Sequence, residues 1–545
     1  MSTEATNAEL NEAIMDEFGV KYSKDGRKLL KAPQNLDSTY SIKEGTKIIC
    51  DMAFADCKSL RSLVVPDGVT SIGKRAFSDC TSLSSLVLPE SVGNIIGNPF
   101  SGWDGELKCL SPYFIYDNKV LFDKDKSKII AFRDKKTTSY VIPDYVTSIG
   151  NGAFYDCKSL RNIVIPDSVT SIGDSAFEGC TSLTSLVIPD SVTSIGDSAF
   201  DGCSSLTDIV LPDSVTSIGD WAFEGCGSLT NIAIPEGVTS IGDSAFSGCE
   251  SLSSLVIPDG VTSIGTWAFM GCSSLSSLVI PDSVTRIGDS AFWGCGSLSS
   301  LVIHATGAGI VDSVFKGCKS LESLVLSDGV TSIGDSAFDG CSSLSSLVIP
   351  DSVTRIGDCA FSGCTSLTDI VIPDGVTSIG TWAFSGCTSL SSLVIPDSVA
   401  DYVNWAFRGC SSLSSLIIPD SVTSIGNCAF GGCRSLKSLV IPDSVTSINN
   451  CAFCDCYSLR SLVIPDSVTR IGHCAFSGCS SLTNIAIPDS VTSIGFYAFS
   501  GCCSLSDIII PDGVTHIEER AFYGCNFSNN LKQELISRFG IEIFW

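Results

Sequence analysis

Few residues of this chain have the types and spacing that catalysis requires. Histidine occurs three times in 545 residues, as His304, His473 and His516. Each histidine occupies a different position of a repeating pattern, so no nucleophile–base arrangement recurs along the chain. The abundant serines fill equivalent positions of that pattern, and no glycine-rich stretch has the spacing of a phosphate-binding loop. We therefore predict that the protein is not an enzyme and has neither catalytic residues nor a cofactor.

Cysteine is the other reactive residue, and its spacing argues for a structural role. The chain has 27 cysteines, most of which recur every 23 residues, at Cys57 and Cys80 and then from Cys157 to Cys525. Stacked repeats place neighbouring backbones within the range of a disulfide, but a continuous row gives every sulfur two equal neighbours. We expect small buried thiols, which favour a reducing compartment.

Three cysteines outside that row form a second alignment. Cys428, Cys451 and Cys474 occupy the same position in three consecutive repeats, and Cys454 and His473 lie close to them in sequence. Thiolates gathered in this way can bind zinc or another soft metal. The repeat itself imposes their spacing, however, so chance occupancy of a variable position is the simpler interpretation. No metal site is predicted.

A row of acidic residues follows a recurrent proline. Its members are Asp144, Asp167, Asp190, Asp213, Asp259 and Asp282, with Glu90 and Glu236 as substitutes. Carboxylates about 5 Å apart are a conceivable calcium site, but the glycine-rich ligand loop of calcium-binding solenoids is missing. An Asx-type turn after the proline is the simpler explanation.

Charge and hydropathy exclude several classes of protein. The chain has 33 Lys and Arg against 59 Asp and Glu, a net charge of −26. This charge excludes a nucleic-acid-binding protein that works by phosphate neutralisation, and it argues against attraction to an anionic membrane. No apolar run approaches the roughly 18 residues of a membrane span, so we predict no membrane insertion. The N-terminus also lacks the apolar segment of a secretory signal.

The dominant feature is a 23-residue repeat. The unit from Ile188 to Val210 reads IPDSVTSIGDSAFDGCSSLTDIV, and a phenylalanine eleven residues after the proline position marks 20 such units. Leucines at i and i+3 followed by an apolar residue at i+5 are the leucine-rich-repeat signature. The pattern predicts a strand, a Pro-Asp-Ser turn, a second extended piece at Val192 to Ile195, and a brief helical turn capped by Asp197. Stacked units predict a β-solenoid, a rod or an arc.

One insertion interrupts the array. Phe100 and Phe154 are separated by two periods plus eight residues, and the segment that begins at Val120 aligns without gaps to the one that begins at Val20. Both read as β-hairpins that open a block of repeats. Apolar residues four apart predict a short cap helix at each end, formed by Leu10, Ile14 and Phe18 before Gly19, and by Leu531, Leu535 and Phe539 before Gly540.

These features predict five segments. They are an N-terminal cap at 1–39 (helix plus hairpin), three repeats at 40–103, a hairpin insert at 104–139, seventeen repeats at 140–525 and a C-terminal cap at 526–545. Caps with one apolar face keep the ends of a solenoid soluble, so we expect a complete array.

The pattern LxxLxIPxxVxxIxxxAFxxC, as in Leu183 through Cys203, resembles the BspA-like family of 23-residue leucine-rich repeats. The resemblance covers about 500 residues and recurs in every unit. It implies a surface or secreted protein that binds host proteins, matrix proteins or other cells, and it does not imply an enzyme. The missing signal and the unpaired cysteines instead favour the cytoplasm, so two locations stay open.

Two sets of residues are candidates for binding a protein partner. The first is a stripe on the outward strand position, formed by Val164, Val187, Val256, Val279, Val348, Val394 and Val463; exposed apolar stripes usually mark an interface. The second set lies next to Ala-Phe at variable positions, where aromatic residues are candidate hot spots, and comprises Trp221, Trp267, Trp293, Trp382 and Trp405. Coverage of the convex flank is an equal alternative for the tryptophans.

We therefore predict an adhesin-like or surface recognition protein that binds a host, matrix or cellular protein. The alternative is an intracellular protein-interaction scaffold. A third class is a structural or surface-ordering protein that uses the Thr-Ser ladder, although such ladders can simply be solvated edges.

Overall fold

A computed structural model describes residues 2–303, 310–399 and 404–545. The chain forms two compact units, Met1–Val261 and Thr262–Trp545. Both units consist of stacked rungs of a β-solenoid with little helix, which confirms the predicted fold class. His304 lies outside the described residues.

One rung shows how the repeat folds. The strand Ser185–Val187 buries Leu186 and is followed by a turn in which the Val192 N–H donates to the Pro189 carbonyl over 3.0 Å. The second strand is Ser194–Ile195. Period-2 burial on both strands and the proline-led turn agree with the sequence pattern.

The predicted helical turn after Asp197 is wrong. Residues 197–202 form successive turns in which Ser198 is left-handed, with φ 53°, so no helix can propagate there. The Asp197 carboxylate does not cap its own rung. It accepts the backbone N–H of Asp220 in the next rung over 3.0 Å, and Asp174 and Asp220 repeat this bond. The aspartate therefore joins rungs.

In the first unit the strands form two families. The long strands are Ser38–Ser41, Leu60–Val64, Ser85–Leu88, Glu106–Cys109, Ser139–Val141, Asn162–Val164, Ser185–Val187 and Asp208–Val210. The short strands are Ile48–Ile49, Ser71–Ile72, Asn94–Ile95, Ser148–Ile149, Ser171–Ile172, Ser194–Ile195, Ser217–Ile218 and Ser240–Ile241. Pairing between rungs is parallel, and Val187 lies opposite Val210.

The second unit repeats this plan. Its long strands are Ser277–Ile280, Ser300–Ile303, Ser323–Leu326, Ser346–Val348, Asp369–Val371, Ser392–Val394, Ser415–Ile417, Ser438–Val440, Ser461–Val463 and Asn484–Ala486. Its short strands are Ser263–Ile264, Arg286–Ile287, Ser332–Ile333, Arg355–Ile356, Ser378–Ile379, Ser424–Ile425, Ser447–Ile448, Arg470–Ile471, Ser493–Ile494 and His516–Ile517. Equivalent residues again pair in parallel register.

A column of phenylalanines fills the core of each unit. From Phe154 to Phe246, successive rings stack with centroids 5.1–5.3 Å apart. From Phe269 to Phe522, the spacing is 5.2–5.7 Å and the ring planes lie within 12° of parallel. Stacking in register buries each ring against its neighbours, which explains why this position scarcely varies.

The two predicted hairpins are present, and each is part of a three-stranded antiparallel meander. The first meander is Ile14–Met15, Lys21–Tyr22 and Lys28–Lys31, and the second is Phe114–Asp117, Val120–Asp123 and Lys128–Phe132. The third strand of each then pairs in parallel with the first short strand of a repeat block. Gly26 and Lys126 occupy the left-handed position of the corresponding turns, with φ 69° and 58°.

The N-terminal helix is shorter than predicted. Helix α1 spans Asn7–Asn11 and begins with a capping box between Thr6 and Glu9. Ile14 lies in a strand and Phe18 in a turn, and both are about half exposed. The Asp16 carboxylate accepts the backbone N–H groups of Phe18 and Val20, which stabilises this turn in place of a helix.

The predicted C-terminal helix is present. Helix α2 spans Asn529–Phe539, buries Leu535 and ends at Gly540, and a 3₁₀ turn follows at Ile541–Ile543. This turn accepts backbone hydrogen bonds from the last rung, including the Phe522 N–H on the Ile543 carbonyl over 2.9 Å. Within the described ranges, no helix is both long and apolar enough for a bilayer.

Candidate protein-binding surface

The predicted valines form an exposed row, which we call the valine row; six of them lie on long strands, and Val256 occupies the equivalent repeat position outside a strand. All seven side chains are 53–77% exposed, although the residues directly before and after each of them are buried. The row has further members that the sequence analysis did not name. They are Val141, Val210, Val325, Val371, Ile417, Val440 and Ile509. The signal was available, since each directly precedes the apolar residue at the proline turn.

Register makes the valine row continuous within parts of each unit. In the second unit, Val325 lies opposite Val348 and Val348 opposite Val371, and the pairing runs on to Ile417. Parallel strands lie about 4.8 Å apart, so adjacent valines form one apolar strip. The strip is rigid because its backbone belongs to the inter-rung ladder.

Hydroxyl groups beside the strip are already engaged within the chain. The Thr368 hydroxyl donates to the Ser345 carbonyl over 3.3 Å, and Ser391 donates to Thr368 over 3.4 Å. The threonines that precede the short strands do the same, as with Thr377 on Thr354 over 3.2 Å. These serine and threonine hydroxyls form hydrogen bonds between rungs. The exposed valine side chains form no such bonds and are therefore the groups available to a partner.

The acidic row lies three residues after the valine row and is exposed. Asp190 illustrates it. The expected Asx-type turn is wrong, because within the described residues Asp190 and its equivalents in the predicted set accept no hydrogen bond. The turn is held by Val192 and by the Ser191 hydroxyl, which donates to the Val169 carbonyl of the preceding rung. The carboxylates therefore face solvent beside an apolar strip.

The tryptophans lie on a different part of the rung. Trp221, Trp267 and Trp382 follow their valine-row residues by eleven positions, are 43–47% exposed and have left-handed φ angles of 54–58°. Trp405 shares this position but is half-buried, and its ring meets that of Trp382 edge-on at 6.0 Å. The fifth, Trp293, follows its phenylalanine directly and is 43% exposed. The tryptophans therefore do not belong to the valine row.

A second row of stacked acidic residues contains a carboxyl group with a raised pKa. Burial, followed by the neighbouring carboxylates Glu224 and Glu178, raises the pKa of Asp201 to about 6. Glu178 is itself paired with Arg75 at 2.7 Å. Stacking equivalent carboxylates in adjacent rungs therefore costs stability at neutral pH.

The repeated cysteines are buried, as predicted, and they also act as donors. The Cys203 thiol donates to the Phe177 carbonyl over 3.2 Å, and Cys364 to Phe338 over 3.4 Å. All 27 cysteines fall in the described ranges, and none of them is joined in a disulfide. Across these same ranges, no group of three or more His, Cys, Asp or Glu side chains is arranged to hold a metal ion.

The sequence comparison identifies the family. A sequence model described as a BspA-type leucine-rich-repeat region matches residues 33–106, 128–253, 239–365, 331–460 and 446–544. The chain belongs to this family, whose repeats form a non-enzymatic scaffold. The predicted resemblance is thereby confirmed. No curated protein matches the chain.

Two solved structures are similar to this chain. A leucine-rich repeat protein from Bacteroides ovatus is 31% identical with a TM-score of 0.51, over 72% of this chain and 92% of that one. A leucine-rich cell surface protein from Faecalibacterium prausnitzii is 34% identical with a TM-score of 0.39, over 69% of this chain and 94% of that one.

Proposed function

We propose that this protein binds a protein ligand through the valine row. The observation that carries the proposal is the in-register strip of valines, each more than half exposed on a backbone fixed by parallel pairing. Isolated exposed apolar residues need no explanation, but a continuous strip of this kind is typical of an interface. A rigid strip also loses little conformational entropy when it is covered.

Charge defines the chemistry of the partner. The acidic row follows the valine row, and the whole chain has a net charge of −26. The complementary partner is a protein surface with apolar side chains flanked by Lys and Arg, because opposite potentials steer association and like charges oppose it. We propose an adhesin-like recognition role for this contact, with a host, matrix or cellular protein as ligand.

An intracellular scaffold is the second candidate. Its support is that the 27 cysteines, all in the described ranges, are not joined in disulfides, which is typical of a reducing compartment. Protease digestion of intact source cells separates the two roles. Loss of the protein while a cytosolic marker survives supports surface recognition, and full protection of both supports the scaffold.

Binding itself is tested with two lysine variants of the full chain. The first carries Ile417→Lys, Val440→Lys and Val463→Lys on the valine row. The control carries the same three charges on short strands, as Ser424→Lys, Ser447→Lys and Ser493→Lys. That position already holds a cation in other rungs, at Arg286, Arg355 and Arg470.

The probes are immobilised collagen, laminin, fibronectin and fibrinogen as matrix proteins. We expect at least a tenfold weaker Kd for the valine-row variant, about 1.4 kcal/mol, and near-native binding for the control. Equal losses in both variants contradict the proposal that this face binds. Absence of binding to every matrix protein contradicts a matrix-adhesin role.

A further inference from the structure

Four cysteines converge on one edge of the second unit. Cys428, Cys451 and Cys474 occupy the left-handed turn position of successive rungs, with φ 49°, 56° and 54°. The fourth, Cys454, lies three residues after Cys451 in the same turn. In the other rungs this left-handed position holds mainly serine or tryptophan. We call these four residues the thiol cluster.

Backbone hydrogen bonds set the geometry of the thiol cluster. The Cys428 N–H donates to the Asn450 carbonyl and the Cys451 N–H to the His473 carbonyl, each over 2.8 Å. These bonds stack the turn positions on adjacent rungs. The Cys454 N–H donates to the Cys451 carbonyl over 3.1 Å, which closes the turn between them. Adjacent rungs and an i to i+3 turn both lie within the span of a disulfide.

Gly431 provides room for one of these sulfurs. A Cβ atom at Gly431 would lie 3.0 Å from the Cys454 sulfur. Most other rungs carry a side chain at the equivalent position, as Ser385 and Arg408 do. The glycine therefore lets the Cys454 sulfur extend over the preceding rung.

Cys451 is the neighbour that the other three thiols of the cluster share. Burial first, and then interaction with Cys451, raises the pKa of Cys428 and Cys454 to about 12 and that of Cys474 to about 11. In each case the hydrogen bond to Cys451 contributes in the same direction. Cys451 is therefore the sulfur with which each of the other three cluster thiols can pair.

Solvent reaches this cluster, unlike the buried cysteine column. Cys451, Cys454 and Cys474 are partly exposed. Cys454 also lines a cleft of about 380 Å³ together with Arg408 and Arg434, and Asp455 lies at the same cleft. Both arginines are exposed. Two guanidinium groups beside the Cys454 sulfur favour an anionic reagent at the cluster.

We propose that the thiol cluster is a thiol–disulfide exchange site that accepts an anionic, low-molecular-weight disulfide. Cys451 loses its proton to solvent and its sulfur attacks one sulfur of the reagent, the S–S bond of the reagent breaks, and one half leaves as a thiolate that takes up a proton. A neighbouring cluster thiol loses its proton to solvent and attacks the Cys451 sulfur, releasing the second half as a thiol. Two protein thiols become one disulfide, and the reagent is reduced to two thiols.

The test uses the folded full chain and oxidised glutathione as the probe. Remaining thiols are alkylated after denaturation and the disulfides are mapped by mass spectrometry. Cys451→Ser removes the central sulfur, and serine already occupies this left-handed position at Ser313 and Ser336, so the variant is expected to fold. Cys359→Ser is the matched control. Cys359 has the same turn position, with φ 55°, but its neighbours are Ser336 and Trp382.

In the wild type we expect a disulfide between Cys451 and another cluster member, while Cys359 stops at a mixed disulfide. Cys451→Ser should abolish the intramolecular disulfide, and Cys359→Ser should leave it unchanged. An unchanged disulfide in Cys451→Ser, or no thiol loss in the cluster of the wild type, overturns the proposal.

The arginines provide a second readout that a loss of folding would not imitate. Arg408→Gln combined with Arg434→Gln should slow exchange with oxidised glutathione about fivefold, since two nearby cations at a surface site are lost. Exchange with the neutral hydroxyethyl disulfide should keep its rate. Equal slowing of both reagents, or of neither, contradicts selection of an anionic reagent.

Discussion

The phenylalanine column and the valine row repeat with the same 23-residue period, but the phenylalanines are buried and the valines are exposed. Phe361 is fully buried between two stacked rings, with centroids 5.4 and 5.3 Å away. Val371, ten residues later, is 77% exposed. The phenylalanine column therefore holds the rungs together, whereas the valine row is available to a partner. Substitutions in the two rows should therefore affect different measurements.

The largest effect on folding is expected at the phenylalanine column. Phe361→Ala removes a buried ring and leaves a cavity, so it should lower the free energy of unfolding by about 3–5 kcal/mol. Urea unfolding followed by circular dichroism measures this. Val371→Ala is the control and should change stability by less than about 0.5 kcal/mol. Equal effects would remove the distinction between the two rows.

The cysteine column should give the next largest effect. Cys364→Ala removes a buried sulfur and its hydrogen bond to the Phe338 carbonyl, which should cost about 1–2 kcal/mol. Burial raises the pKa of the Cys364 thiol well above its usual range. This thiol should therefore resist iodoacetamide at pH 8 until urea unfolds the rung. Rapid alkylation in the folded state would contradict the burial.

A smaller effect of opposite sign is expected at Asp201. Its folded pKa of about 6 is raised above the unfolded value, so its contribution to stability is fully present below about pH 4 and is lost as the pH rises through 6. Asp201→Asn should therefore stabilise the chain by about 1 kcal/mol at pH 7, after discounting for solvent screening. The gain should disappear near pH 4. Thermal unfolding at both pH values checks this, with the exposed Asp190→Asn as control.

The smallest effect on stability is expected on the valine row. Each of Ile417→Lys, Val440→Lys and Val463→Lys places a cation on an exposed side chain near acidic residues, so the change should stay within about 0.5 kcal/mol per substitution. The urea unfolding midpoints of this variant and of the short-strand control measure this change in stability. A large destabilisation would mean that the row contributes to folding rather than to recognition.

Much of the fold was predictable because a period repeated 20 times averages out local ambiguity. The strands, the proline turn, the meander hairpins and the C-terminal helix follow from side-chain periodicity alone. The predicted five segment boundaries stay a prediction. Two wrong predictions concern aspartates whose hydrogen-bond partners the sequence pattern does not reveal. Asp197 reaches the next rung, and Asp16 stabilises a turn that ends the expected helix.

The candidate surface was predicted less completely. Exposure of the valine row follows from strand alternation, but the engagement of the neighbouring hydroxyl groups depends on stacking distances that one repeat does not reveal. The central position of Cys451 in the thiol cluster could not be predicted either, because it also depends on how the rungs stack. Its contacts join residues 23 apart, and Gly431 acquires meaning only when rungs are stacked.

Site-specific photo-crosslinking tests the central claim most directly. A benzoylphenylalanine is placed either at Val371 on the valine row or at Trp382, eleven residues later in the same repeat. Each variant is irradiated with the matrix protein that the wild-type chain binds. We expect a crosslink from position 371 and none from position 382. Crosslinking from position 382 alone would contradict it and would place recognition on the tryptophan turns.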